Sequence, residues 1–237
     1  MLPGGGTPLV HSHYAHAASF ILDRAIAKAQ SGVHFPVWAS CLGFEKLITY
    51  FTGDQDVKWE SHCYVENISL PLNFSTTPSS TVLLKDAGDH VVNLLKSKNV
   101  TANYHQICLS VETFQKTTNL TDQLRLVSTN SFGGVNFVST VEHKKYPIFS
   151  TQWHPEKNQF EWVLSKTIGA INHDADAIQI GQYFGNFLVG EGRKNGQHFS
   201  NSTEEADSLI YNFSHQLKYS GKGGKGSFEE IYVWPLD

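Results

Sequence analysis

The first part of the chain combines helical periodicity with a short apolar run. Residues 13–30 carry apolar side chains at helical spacing, namely Ala18, Ile21, Leu22, Ala25 and Ala29. This spacing predicts an amphipathic helix, which Ser12 can cap and Gly32 ends. The run "HFPVWAS" (34–40) is almost continuously apolar, which is typical of a strand buried on both faces of a parallel sheet. The stretch "FEKLITYFTG" (44–53) predicts the helix that follows it.

The middle of the chain, residues 57–150, contains short apolar runs separated by Asn, Gly and Pro. These runs predict strands at "NISLPLNF" (67–74), "QICLSVETF" (106–114), "LRLVSTN" (124–130), "VNFVSTVE" (135–142) and "PIFSTQW" (147–153). The segment "STNSFGGVNFVST" (128–140) predicts a hairpin. We therefore expect this region to consist of strands joined by turns.

Helical patterns return towards the C-terminus. Residues 174–196 predict an amphipathic helix ended by its last glycine. Ser202 and Glu205 have capping-box spacing, which predicts a last short helix. The stretch "YSGKGGKGS" (219–227) is typical of a flexible surface loop.

These elements together predict one mixed α/β domain over residues 1–237. The chain is 40% hydrophobic, which is enough for a sizeable core. Its formal net charge is −4 and its basic residues are scattered, so no nucleic-acid partner is expected. No window approaches the roughly 18–20 apolar residues of a membrane span. The chain does not open with the pattern of a signal peptide.

Asparagine and cysteine placement bears on the compartment. Six asparagines fit the N-x-S/T pattern of glycan acceptors: Asn67, Asn73, Asn99, Asn119, Asn201 and Asn212. Their number predicts glycosylation in the secretory pathway, although loops rich in Asn, Ser and Thr would give the same pattern without glycans. Of the three cysteines, Cys41, Cys63 and Cys108, two can pair in an oxidising compartment and leave one reactive thiol. The sequence leaves the pairing open, and we expect Cys41 to be the free one.

Cys41 lies where the predicted strand turns into the predicted helix, in "CLGFE" (41–45). Such a turn lifts a side chain above the sheet, and a helix N-terminus lowers the pKa of a thiol placed on it. The N–H of Leu42 would then point at the oxygen of an attacked carbonyl, and Gly43 would allow close packing of the helix. Cys41 is therefore a candidate nucleophile. The alternative is a small buried hydrophobic residue, the usual role of a free cysteine.

A histidine and a carboxylate follow another predicted strand, in "TQWHPEK" (151–157). His154 comes directly after the apolar run, and Glu156 stands where its carboxylate could orient the imidazole. A cysteine, a histidine and a carboxylate, far apart in sequence but each at a strand end, are the parts of an acyl-transfer triad. The alternative for His154 is a surface histidine.

The two motifs together resemble the γ-glutamyl hydrolase family of the class I glutamine-amidotransferase-like superfamily. The resemblance rests on "FPVWASCLGFEKL" followed by "YPIFSTQWHPEK", and on "LPGGG", "PLNF", "TANYHQICLSV" and "KNGQHFSNSTEEADSLIYNF" in the same order. It covers nearly the whole chain. It implies a three-layer α/β sandwich of the flavodoxin-like type, with a mainly parallel central sheet. It also implies an enzyme that hydrolyses γ-glutamyl amide bonds in folate poly-γ-glutamates, located in the lysosome or outside the cell and forming a homodimer.

The resemblance also assigns roles to the catalytic candidates. It makes Cys41 the nucleophile, His154 the general acid and base, and Glu156 the third member of the constellation. The reaction it implies proceeds through a γ-glutamyl thioester on Cys41, which a water activated by His154 hydrolyses. No metal or organic cofactor is implied.

Further residues would bind the substrate. Gly5 or Gly6 of the "PGGG" turn would supply a second oxyanion N–H opposite Leu42. His105 in "TANYHQ" matches a histidine that the family places beside the active site, where it could bind a substrate carboxylate or the reacting amide. The alternative is a loop histidine satisfied by backbone groups.

Two features depart from the family. Ala39 stands where members usually carry glycine, and we expect a slightly altered turn there without loss of function. The chain begins at the "PGG" turn, whereas relatives have a signal peptide and several tens of residues before it. We therefore expect a domain that is truncated at its N-terminus and lacks the first strands of the sheet.

Two other functions compete with hydrolysis of γ-glutamyl bonds. One is a glutaminase of a glutamine amidotransferase, against which the glycan-acceptor pattern argues. The other is a non-catalytic truncated form that folds poorly or acts only by binding partners. His11, His13 and His16 have a spacing that could bind a metal but lack a further ligand, so no metal site is expected.

Overall fold

The computed structural model describes residues 1–53, 57–61, 63–162, 171–213, 215–217 and 230–232. The chain forms two compact units, Met1–Gly196 and Gln197–Asp237. The single domain over residues 1–237 stays a prediction. The loop predicted at 219–227 lies outside the described residues.

The first unit contains most of the secondary structure. Its described helices are α1 (His13–Gln30), α2 (Leu42–Phe51), α3 (Gly88–Ser97), α4 (Val111–Lys116), α5 (Thr118–Gln123), α6 (Lys157–Phe160) and α7 (Ala175–Gly192). Its described strands are β1 (Val37–Ser40), β2 (Val65–Leu70), β3 (Asn73–Phe74), β4 (Thr101–His105), β5 (Leu124–Phe132), β6 (Val135–His143) and β7 (Ile148–Thr151). The second unit contains α8 (Ser202–Asp207) and an antiparallel pair, β8 (His215–Leu217) and β9 (Glu230–Tyr232).

The central sheet has five strands in the order β1-β7-β6-β5-β3. β1 and β7 are parallel, whereas the other three pairs are antiparallel. The expected α/β fold is confirmed, but the sheet is mixed and not mainly parallel. The reason lies partly in the connection between β5 and β6, which is the two-residue turn Gly133–Gly134 with φ of 58° and 81°. So short a connection permits only antiparallel pairing.

Helices cover both faces of the sheet, as expected for a three-layer sandwich. Along β1, Val37 and Ala39 pack into the core beneath α1 and α2, whereas Trp38 points to the opposite core beneath α3 and α7. Ile148 and Phe149 of β7 divide between the two cores in the same way. Because both faces of β1 and β7 are buried, their sequences are almost continuously apolar, as the pattern predicted.

Helix boundaries follow from local capping groups. The side chain of Ser12 accepts a hydrogen bond from the Ala15 N–H and caps α1, as predicted, and Gly32 follows its end with a φ of 83°. The cap of α8 is Asn201, not Ser202, because the Asn201 side chain accepts the Glu204 N–H at 2.9 Å. α7 begins after its cap Asp174, as the pattern predicted, but ends at Gly192 and not at residue 196.

The middle of the chain is less rich in strands than its pattern predicts. The predicted strand 106–114 is wrong, because Ser110 caps α4 there and accepts the Thr113 N–H at 3.1 Å. The predicted strand 67–74 is interrupted between β2 and β3 at Pro71. The helices α3 and α5 and the strand β4 were not predicted.

A small separate sheet pairs β2 with β4 and carries a disulfide. Cys63 precedes β2, Cys108 follows β4, and the two form a disulfide with a Cα–Cα distance of 5.7 Å. Cys41 is the free cysteine, as expected. The bond therefore joins the segments flanking the two strands.

None of the helices among the described residues is both long enough and apolar enough to cross a bilayer.

Candidate active site

Cys41 occupies a strained turn between β1 and α2. Its φ of 52° and ψ of −108° lie in a region that side-chain-bearing residues rarely adopt. Ala39 is a buried strand residue without positive φ, so alanine meets no conformational penalty there. A slightly altered turn relative to the family stays a prediction. Gly43 is required for packing, as predicted, because a Cβ there would lie 2.2 Å from the carbonyl oxygen of Leu2.

The sheet brings Cys41 and His154 to the same edge. β1 and β7 are adjacent parallel strands with Ser40 opposite Thr151, and the Cys41 N–H donates to the Thr151 carbonyl at 2.9 Å. Because the carboxyl ends of parallel strands meet at one edge, the residues that follow them become neighbours. A Cβ on Gly4 would lie 2.8 Å from Cε1 of His154 and 3.5 Å from Cβ of Cys41, so Gly4 lies against both residues.

The imidazole of His154 is oriented by Glu156. Nδ1 and Oε1 of Glu156 are 2.6 Å apart. Because a carboxylate only accepts, Nδ1 carries the hydrogen and the lone pair of the neutral ring is on Nε2. Partial burial would raise the pKa of Glu156, but its hydrogen bond to His154 and the charge of that ring outweigh this effect and lower it. The site thus holds a base oriented for proton transfer.

The thiol of Cys41 is buried and protonated at rest. Burial raises its pKa to about 12, the charge of Glu45 adds to this effect, and the Leu42 N–H and Lys157 act in the opposite direction. The thiol donates weakly to the Tyr104 carbonyl oxygen at 3.6 Å. The expected lowering of the thiol pKa by the helix N-terminus is therefore wrong for this conformation, because desolvation outweighs the helix.

A cavity of about 440 Å³ opens beside the thiol. It is lined by Gly5, Gly6, Thr7, Pro8, Leu9, Cys41, Leu42, Glu45, Glu66, Tyr104, His105, Gln106 and Ile107. The predicted oxyanion residues Gly5, Gly6 and Leu42 thus line the same cavity as the nucleophile. Their role as donors stays a prediction. The dimensions suit a small-molecule or peptide-tail substrate.

Comparison of the sequence with known proteins identifies the family. The Peptidase C26 family matches residues 5–156, which include the turn at Gly5, the Cys41 turn and the His154–Glu156 pair. The γ-glutamyl hydrolase of Mus musculus is 36% identical over 234 residues, covering 99% of this chain and 71% of the relative. The γ-glutamyl hydrolase of Homo sapiens is 33% identical, covering 99% and 70%, and γ-glutamyl hydrolase B of Dictyostelium discoideum is 31% identical, covering 99% and 65%. The chain belongs to the Peptidase C26 family. It is a cysteine-type hydrolase.

His105 of this Peptidase C26 chain lines the same cavity as a neutral ring. Burial lowers its pKa to about 4, and the charge of His154 acts in the same direction. Its Nδ1 lies 2.9 Å from the carbonyl oxygen of Ile107, which can only accept, so Nδ1 carries the hydrogen. Nε2 is then a buried acceptor, for which the described residues provide no hydrogen-bond partner. The alternative of a loop histidine satisfied by backbone groups therefore accounts for Nδ1 of His105 but not for Nε2.

Glu45 is a site residue of the Peptidase C26 chain that the sequence analysis missed. It lies one helical turn after Cys41, is 6% exposed and lines the cavity. Burial raises its pKa to about 7, although the Gln152 amide, which donates to it at 3.1 Å, opposes the shift. The spacing of four residues from the candidate nucleophile on a predicted helix was a signal that could have revealed it.

Proposed function

We propose that this chain hydrolyses γ-glutamyl amide bonds in pteroylpoly-γ-glutamates, with Cys41 as the nucleophile. The observation that carries the proposal is the strained Cys41 turn beside an imidazole oriented by Glu156, in a chain of the Peptidase C26 family. The relatives named γ-glutamyl hydrolase support the choice of the γ-glutamyl bond.

The first half of the reaction forms a thioester. Because the pKa of the thiol is raised to about 12, its proton has to leave during attack, and Nε2 of His154 receives it. The sulfur attacks the γ-carbonyl carbon, and the N–H groups of Leu42 and of Gly5 or Gly6 bind the oxyanion. The imidazolium then protonates the departing amine as the C–N bond breaks, which leaves the γ-glutamyl group on Cys41.

The second half restores the enzyme. His154 takes a proton from a water molecule, whose oxygen attacks the thioester carbonyl. The C–S bond breaks and the thiolate regains the proton. Glu156 accepts the Nδ1–H throughout and stabilises the imidazolium. Positioned acid–base catalysis of this kind contributes about 10²- to 10⁴-fold, and each oxyanion donor about 10²- to 10³-fold.

His105 binds an N–H group of the substrate and not a carboxylate. Its free nitrogen is an acceptor, and a carboxylate has only acceptors to offer. A His105→Phe variant keeps an aromatic ring that can contact Phe137, which lies 5.3 Å away between centroids, but has no acceptor. We expect kcat/KM to fall about 10-fold. Unchanged steady-state kinetics would contradict this role.

The test of the reaction compares the wild type with Cys41→Ala on pteroyl-γ-pentaglutamate, followed by mass spectrometry. The α-linked pentaglutamate and free glutamine serve as control substrates. We expect Cys41-dependent cleavage of the γ-linked substrate alone, with a γ-glutamyl adduct on Cys41 in quenched samples. Deamidation of glutamine alone would favour the glutaminase, and failure to cleave any of the three would favour the non-catalytic form.

We also propose that the chain matures in the secretory pathway and acts in the lysosome or outside the cell. The Cys63–Cys108 disulfide supports this location, because such bonds persist in oxidising compartments. Five of the six acceptor asparagines are exposed, whereas Asn67 is half-buried and its side-chain oxygen accepts the Tyr104 hydroxyl. Deglycosylation in heavy-oxygen water followed by peptide mapping tests the proposal. Unmodified asparagines in secreted protein would contradict the glycan assignment.

A further inference from the structure

The glycine loop (residues 3–8) forms one side of the active site, and both its ends are bound to the start of α1. The Tyr14 hydroxyl donates to the carbonyl oxygen of Pro3 at 2.9 Å. The Ser12 hydroxyl donates to the carbonyl oxygen of Pro8 at 2.6 Å. The first turn of α1 therefore fixes where the loop begins and ends.

Just before the loop, the backbone is attached to β1. The Leu2 N–H donates to the Trp38 carbonyl at 2.7 Å, and the Ser40 N–H donates to the Leu2 carbonyl at 3.0 Å. Pro3 is the next residue, and as a proline it has no N–H to donate. The Tyr14 hydroxyl therefore supplies an anchor between the strand-bound Leu2 and the glycines.

The glycines that follow this anchor meet the catalytic residues directly. Gly4 lies against His154 and Cys41, and a Cβ on Gly5 would lie 3.3 Å from Cδ2 of Leu42. Gly5 also lines the cavity. A shift of Pro3 would thus be transmitted within one or two residues to the surroundings of the base and to a predicted oxyanion donor.

Tyr14 is suited to hold a fixed position. Its half-buried ring packs against the core that contains α1 and α2. Burial, together with the charges of Cys41 and Glu45, raises the pKa of its hydroxyl, so the group stays a hydrogen-bond donor.

We propose that Tyr14 is a positioning residue for the reaction, which acts by holding the Pro3 carbonyl and hence the glycine loop at its distance from Cys41 and His154. The inference rests on the proposed function. It assigns Tyr14 no contact with the substrate. Its loss should therefore slow the chemical step more than it weakens substrate binding.

The test is Tyr14→Phe, which keeps the ring and removes the hydroxyl. The matched control is Tyr50→Phe, since Tyr50 also packs on the same core and donates its hydroxyl to another residue, Asp23, at 2.6 Å. On pteroyl-γ-pentaglutamate we expect kcat to fall about 10-fold in Tyr14→Phe with KM within about twofold, because a small misplacement of catalytic groups costs rate. Tyr50→Phe should retain the wild-type kcat, and the two variants should have similar melting temperatures.

A second measurement does not depend on hydrolysis. Iodoacetamide should alkylate Cys41 several-fold faster in Tyr14→Phe than in Tyr50→Phe, because Gly4, which lies against Cys41, is then held less firmly. If the wild type cleaves no γ-glutamyl bond but the alkylation rates differ, the proposed function fails, whereas the part of the inference in which Tyr14 holds the glycine loop against Cys41 stands. Equal alkylation rates, or a Tyr14→Phe kcat equal to that of Tyr50→Phe, would overturn the positioning role.

Discussion

Replacing Gly4 by alanine tests the arrangement of the active site with a single methyl group. The backbone of Gly4 is not in the left-handed region, so an alanine at this position can adopt the same backbone conformation. The added Cβ would lie 2.8 Å from Cε1 of His154, closer than the 3.0 Å that real Cβ atoms keep. The ring must therefore move, and its bond to Glu156 must move with it. Catalytic groups need to be held within about 0.5 Å, and a displacement of about 1 Å costs about 100-fold in rate. We expect kcat to fall about 10- to 100-fold.

The assay is steady-state cleavage of pteroyl-γ-pentaglutamate, with thermal unfolding of the same samples. Gly5→Ala provides a graded comparison, because its Cβ would meet only the end of the Leu42 side chain at 3.3 Å, which can give way. Gly185→Ala is the control for the fold, since nothing lies within 4 Å of its Cβ. A Gly4→Ala enzyme with kcat within twofold of the wild type would refute the reasoning. So would a loss in Gly5→Ala as large as that in Gly4→Ala.

Three further variants test the electrostatics and the covalent link. Glu45→Gln should flatten the dependence of stability on pH. The pKa of Glu45 is raised from 4.5 to about 7, so the wild type should lose about 3 kcal/mol of unfolding free energy between pH 4.5 and pH 7 as this carboxyl ionises in the folded state. Urea unfolding at the two pH values measures the loss. An equal loss in the variant would contradict this assignment. Glu156→Gln should lower kcat about 10- to 100-fold, because an amide does not stabilise the imidazolium charge, and single-turnover rates are the check. Replacing both Cys63 and Cys108 by serine should lower the unfolding free energy by about 4 kcal/mol, because their disulfide closes a loop with a sequence separation of 45. The unfolding free energy of Cys41→Ala, which leaves the disulfide intact, serves as the control.

The sequence predicted the parts of the fold in which one local pattern decides the structure. The buried runs at β1 and β7, the cap at Ser12 and the stop at Gly32 each depend on residues close in sequence. The placement of Cys41 and His154 at strand ends followed from the same runs. Their closeness, however, required the parallel pairing of β1 with β7, which no periodicity specifies.

The middle of the chain shows where local pattern fails. The apolar residues of 106–114 suit a strand, yet Ser110 caps a helix there because its hydroxyl accepts the Thr113 N–H and Phe114 reaches the core. The mixed sheet has a similar cause. Its antiparallel part begins from the Gly133–Gly134 turn, whereas the expectation of a mainly parallel sheet came from the family as a whole.

The state of the Cys41 thiol could not be predicted from its place at a helix N-terminus. A helix end favours the thiolate by a modest amount, whereas burial and the nearby Glu45 disfavour it by more, so the thiol pKa is raised to about 12. In the proposed mechanism, ionisation is therefore coupled to attack, and it depends on a base and a predicted oxyanion site already in position. That requirement gives the glycine loop its importance: Gly4 limits where His154 can lie, and Gly5 carries a predicted donor. The proposed mechanism therefore makes the reactivity of Cys41 depend on the geometry around it more than on the acidity of the thiol.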